Sequence, residues 1–149
     1  MKKKSQMIRE IEDVNDTVPA FSNHILRHVL LPELLGKEEE MILYWAGKAL
    51  YRKLASSQAL LEDKASFFSA AAWGELELIK EKRTELHYEL LSPKMEKGRP
   101  FTLEAGFLSE WTEVETGCTT EATYEVVKKD PCTCRITVKW DPKDQVNLD

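Results

Sequence analysis

Three cysteines, three histidines and a glutamate on an apolar helix face are the residues whose types and spacing could do chemistry in this chain. Cys132 and Cys134, with Cys118 upstream, resemble a thiolate set of the kind that holds zinc. Strand geometry argues against it. A turn at 129–131 pairs Lys128 with Cys132 and Val126 with Cys134, which leaves Cys118 eight positions further along the ladder. At ~3.4 Å per residue that is about 27 Å, too far for three ligands to share one ion. Cys132 and Cys134 stand about 7 Å apart on one strand face, beyond a relaxed disulfide. They share that face with Ile136 and Val138, so they are expected to be small buried apolar side chains, and neither a metal nor a cofactor is expected.

His24 and His28 have the i, i+4 spacing that lets two imidazoles hold one metal, but no third ligand stands nearby in sequence, and they are read as capping a core edge. His87 alternates outward from Leu86 and Tyr88 and is read as solvated. No Ser or Cys is placed beside a base and an orienting acid, so nucleophilic catalysis has no starting point. Glu104 lies between Leu108 and Trp111 in helical angle. There a buried carboxylate needs a partner or a raised pKa; alternatively it sits in a helix's first turn, where the dipole favours negative charge. Phe67 and a second set, Phe68, Trp73, Phe107, Trp111 and Trp140, either form core or, with Glu104 at the rim, line a small-ligand cavity between helices and sheet. Lys48, Arg52 and Lys53 are read as a helix's solvated side.

The elements that must position these residues are set by periodicity. A chain of 149 residues is the size of one domain, and 42% apolar with 32% charged residues excludes disorder. The net charge of −5 argues against non-specific nucleic-acid binding, which needs a basic surface. The basic start, Met1 to Lys4, is followed by charged and polar residues where a signal peptide needs an apolar stretch, and the longest apolar run, Met41 to Ala46, is far short of a membrane span of ~20 residues. The chain is therefore read as cytoplasmic, with reduced thiols and no membrane insertion.

Residues 1–16 lack periodicity and are read as a mobile tail, 17–142 as one domain and 143–149 as a second tail. From Thr17, residues Val18, Phe21, Ile25 and Val29 share one side of a helix, with Pro32 and Gly36 limiting it. A second helix, opened by Glu38 to Glu40 and running to about Leu54, has Gly47 near the centre of its apolar arc. Glycine there costs ~1 kcal/mol, so another backbone is expected to pack against it. Met41, Ile42, Trp45 and Ala49 extend this helix's apolar surface beyond its own core stripe, which marks a homodimer interface. A third helix carries Phe67 and Phe68. Alternation then sets a hairpin through Leu76–Leu78 and Thr84–Leu90, a fourth helix starts near Thr102, and two strands through Tyr124 and Ile136 close the chain. This order makes an α+β fold: N-terminal helices packed on a four-stranded antiparallel sheet, with one helix between the two hairpins.

Leu31-Pro32-Glu33-Leu34-Leu35-Gly36, Tyr44-Trp45-Ala46-Gly47-Lys48, Phe67-Phe68 to Trp73-Gly74, Leu103-Glu104-Ala105-Gly106-Phe107 and Thr137-Val138-Lys139-Trp140-Asp141 occur in this order. Together they resemble the YslB-like proteins of low-GC Gram-positive bacteria. The resemblance covers about 17–142, and it departs at Ala72, where that family's pattern has glycine in a Gly-Trp-Gly string. It implies the fold shared by 4-vinyl reductase-like domains, TRAPP vesicle-tethering subunits and haem nitric-oxide sensors. The Tyr-x-Ser-x-Arg string of the haem sensors is absent here, and so is the N-terminal-helix cysteine of acylated TRAPP subunits. Two function classes stand: a non-catalytic, homodimeric binding or interaction module that can hold a small apolar ligand, or a 4-vinyl reductase-like enzyme acting on a small apolar or tetrapyrrole-like substrate.

Overall fold

A computed structural model describes residues 5–93 and 98–146. The basic start at 1–4, part of the loop expected at 92–100, and the last three residues lie outside the described residues. The chain runs α1 (Gln6–Glu12), α2 (Ala20–Ile25), a π turn (Leu26–Leu30), α3 (Leu31–Leu35), a 3-10 turn (Gly36–Glu38), α4 (Glu39–Leu54) and α5 (Lys64–Ala70). The sheet and its helix come next: β1 (Glu75–Lys82), β2 (Glu85–Leu91), α6 (Thr102–Thr116), β3 (Cys118–Lys129) and β4 (Cys132–Gln145).

The four strands are antiparallel in the order β1-β2-β4-β3, so the two hairpins meet at the β2–β4 pair. Alternation places Leu86, Tyr88 and Leu90 of β2 and Cys134, Ile136 and Val138 of β4 on the helix-covered face, all buried. This is the expected α+β arrangement, with α6 between the hairpins.

The crossing of α4 over α6 is set by two glycines. A Cβ on Gly47 would collide with the carbonyl oxygen of Leu103 and stand 2.7 Å from the Phe107 nitrogen. A Cβ on Gly106 would collide with the Tyr44 carbonyl oxygen. Each helix therefore seats its bare position on the other's backbone, which is the reason Gly47 occupies an otherwise apolar arc.

Four readings are corrected by the structure. The mobile tail at 1–16 contains α1, whose Ser5 side chain accepts a hydrogen bond from the Ile8 backbone N–H and whose Ile8 is buried. The C-terminal tail starts later than expected, because β4 extends to Gln145. The stripe Val18, Phe21, Ile25 and Val29 does not face the core: Val18, Phe21 and Val29 are 71%, 70% and 54% exposed, and Ile25 is half-buried. Val18 and Phe21 precede the π turn, and within it Arg27 is the buried residue while Leu26, Val29 and Leu30 stay exposed. At the last hairpin Val126 pairs with Cys134 as expected, but a bulge after Val126 puts Lys128 opposite Thr133 and Lys129 opposite Cys132.

Candidate functional site

The aromatic residues, read as either core or cavity lining, form a packed core. Phe107 is fully buried at the centre. Phe67 stacks on it at 4.4 Å between ring centroids, and Trp73, Tyr51 and Trp111 contact it edge-on at 5.3, 5.7 and 5.8 Å. Phe68 is also fully buried, against Trp73 and Phe107, and Trp140 packs half-buried at the cluster's margin. These rings fill the space between helices and sheet with offset and edge-to-face contacts, the arrangement their quadrupoles favour.

Glu104 is 2% exposed and stands in the first turn of α6, so it is a buried carboxylate at the helix's positive end, and it has a partner. Its partner is Arg27, whose Nη2 donates to Glu104 Oε1 at 2.6 Å and lies 3.4 Å from the Pro100 carbonyl oxygen. The partner comes from the turn that periodicity alone treats as an ordinary helix. Lys48 is corrected as well: it is buried, 3.8 Å from Glu110, while Arg52 donates to the same carboxylate at 3.0 Å from a mostly exposed side chain. Lys53 remains exposed.

Cys118 pairs with Gln145 while Cys134 pairs with Val126, so the two buried thiols stand far apart along the ladder. Burial, helped by the nearby Glu104 carboxylate, pushes the Cys134 thiol from 9.0 up to about 12, and the protonated form is held. Cys132 is half-buried. The His24 and His28 rings meet edge to face at 4.8 Å. His87 is less solvated than expected: its side chain is 19% exposed, with Nε2 3.1 Å from Glu85.

Two clefts flank α5. The first, of about 440 Å³, holds Lys64, Tyr88, Trp111 and Glu115. Lys64 donates to the Tyr88 hydroxyl at 3.1 Å and to Glu115 at 3.0 Å. Burial opposes the Lys64 charge, but Tyr88 and Glu115 outweigh it and its pKa ends raised; burial also raises the Tyr88 phenol. A general base working near neutral pH needs the opposite shift, so this set is tuned to stay as an ammonium and a phenol.

The second cleft, of about 470 Å³, lies between α1 and the α4–α5 region. Leu50 and Leu54 of α4 and Phe67, Ala70 and Ala71 at α5 form its apolar floor, and Ile11 and Val14 close over it. Glu12 anchors that roof by accepting a hydrogen bond from the buried Ser57 hydroxyl at 2.5 Å. Glu62 and Asp63 border both clefts. Of the expected ligand residues, Trp111 borders the first cleft, and Phe68, Trp73, Glu104, Phe107 and Trp140 border neither. The signal for the second cleft was present in Ser5, a helix N-cap residue, followed by Ile8 and Ile11 at i, i+3.

The expected interface residues lie on the outer side of α4. Met41, Ile42 and Trp45 are 53%, 37% and 61% exposed, and Ala49 is half-buried. Leu26, Leu30 and Leu34 on the preceding helical stretch are also exposed.

This architecture defines an α+β domain that other solved proteins share. A vinyl-4-reductase family protein from Methanocaldococcus jannaschii superposes with a TM-score of 0.61 at 22% identity, over 90% of each chain. An H-NOX protein from K. algicida superposes at 0.54 and 13% identity, over 97% of this chain and 89% of its own. Sequence then narrows the class: the chain belongs to the protein family of unknown function DUF2507, which matches residues 20–139. It is 37% identical over 145 residues to the uncharacterized protein YslB of Bacillus subtilis (strain 168), covering 93% of both chains.

Proposed function

We propose that this protein is a non-catalytic binding module of the cytoplasm that assembles as a homodimer through residues 18–45. The observation that carries this reading is the exposure of Phe21, Leu26, Val29, Leu34, Met41 and Trp45, large apolar side chains on consecutive helical stretches. Such surface on a soluble chain favours a protein partner, and a second copy supplies the same surface through a two-fold axis. An anionic membrane is a poorer occupant, because the net charge is −5 and Glu33, Glu38 and Glu40 stand exposed in the same stretch. Among the described residues, no helix is long and apolar enough to cross a membrane.

The enzyme alternative draws on the family name of the Methanocaldococcus jannaschii protein, a likeness of fold, and fold alone does not carry an activity. Against it, Lys64 and Tyr88 are shifted away from base catalysis. Light scattering at micromolar concentration tests the dimer: twice the chain mass is expected for the wild type and one chain mass for Trp45→Glu. A wild type that scatters as a single chain sinks the reading.

A further inference from the structure

The second cleft has a chemistry that selects a ligand. Its floor is Leu50, Leu54, Phe67 and Ala70, its roof is Ile11 and Val14, and its volume of about 470 Å³ suits a small molecule. Phe67 is braced from behind by its stack on Phe107, so the floor is rigid rather than collapsible. Where the cleft reaches its neighbour, the shared border is Glu62 and Asp63, both exposed. The nearest cation in sequence, Lys64, is turned into the other cleft and held by Tyr88 and Glu115. Asp63 stays ionised, since hydrogen bonds from the Ser66 hydroxyl and backbone N–H lower its pKa.

We infer that this cleft binds a single-chain amphiphilic amine, its apolar chain on the Leu50–Phe67 floor and its ammonium on the Glu62–Asp63 border. A carboxylate head group would meet like charge there, and a neutral alcohol would forgo the ion pairing. The inference deepens the binding-module reading and is independent of the dimer.

Calorimetric titration of the full chain below micelle concentrations, with dodecylammonium, dodecanol and dodecanoate, tests it. Dodecylammonium is expected to bind one per chain and about tenfold or more tighter than dodecanoate, the scale of one solvent-exposed charge reversal. Ala70→Trp, at an exposed position of α5 bordering the cleft, is expected to weaken dodecylammonium by about tenfold or more. Glu62→Lys, a surface change that leaves the core untouched, is expected to narrow or invert the preference. Equal binding of dodecanoate, an unchanged preference in Glu62→Lys, or binding indifferent to Ala70→Trp in a folded protein overturns the assignment. A wild type that is monomeric yet binds dodecylammonium overturns the dimer and leaves this site standing; a dimer that binds none of the three does the reverse.

Discussion

Arg27 and Glu104, seventy-seven residues apart in the chain, meet at 2.6 Å with only 9% and 2% of their side chains exposed. This ion pair fastens the π turn to the first turn of α6, in a stretch whose apolar side chains mostly point outward. Removing one partner leaves the other buried and unpaired. Arg27→Met is therefore expected to cost about 3–5 kcal/mol in urea denaturation. Adding Glu104→Gln to that variant should recover much of the loss, because the stranded charge is gone. A single variant as stable as wild type would show that the pair does not hold the turn.

Gly47→Ala and Gly106→Ala each place a methyl group against the facing helix's backbone carbonyl. In an exposed helix the same change gains about 1 kcal/mol. Here the sign is expected to reverse, with a loss of about 1–3 kcal/mol or more as α4 and α6 are forced apart. Denaturant midpoints decide the sign directly.

Ala72 has φ +61°, in the left-handed region that favours glycine. Its strain is of order 1–2 kcal/mol, partly offset by the freedom glycine adds to the unfolded chain. Ala72→Gly is expected to stabilise the protein by about 0.5–1 kcal/mol, read as a higher thermal midpoint. A fall in the midpoint would contradict the strain argument.

Phe107→Ala removes the ring that Phe67, Phe68, Trp73, Tyr51 and Trp111 all touch. A packed aromatic core predicts a loss of about 3–5 kcal/mol in denaturant unfolding. A loss below about 1 kcal/mol would indicate an open cavity at this position.

Stability should fall on the alkaline side. Burial raises Cys134 from 9.0 to about 12, and burial with the Glu40 hydrogen bond raises Tyr124 from 10.0 to about 12. Both groups keep their protons in the folded chain where the unfolded chain gives them up. Their contribution is therefore full below pH 9 and is lost as pH rises from 9 towards 12, on the order of 1 kcal/mol per pH unit for the buried thiol. Cys134→Ala should flatten thermal midpoints just above pH 9, where the unfolded thiol titrates ahead of the tyrosine. An unchanged slope in that variant would assign the loss elsewhere.

Local pattern was enough for the sheet, the long helices and the close backbone approach at Gly47, but not for the partner that makes it. Period two in Leu86, Tyr88 and Leu90 and in Cys134, Ile136 and Val138 is a direct record of which side of a strand is wet. Gly47 inside an apolar arc signals a close backbone because glycine is costly there without one. Sequence period cannot reveal a π turn, since one wider turn shifts helical phase without changing composition, and it cannot say whether another element covers a stripe such as Val18–Val29. Nor can it pair Arg27 with Glu104 or bury Lys48 beside Glu110, because a charge's partner is set by elements distant in the chain. Whether the aromatic residues enclose a void or fill one was likewise decided only in three dimensions. Ring against ring at 4.4–5.8 Å leaves the centre packed, and the apolar space opens one layer out, beneath Ile11 of a short N-terminal helix and Val14 just after it.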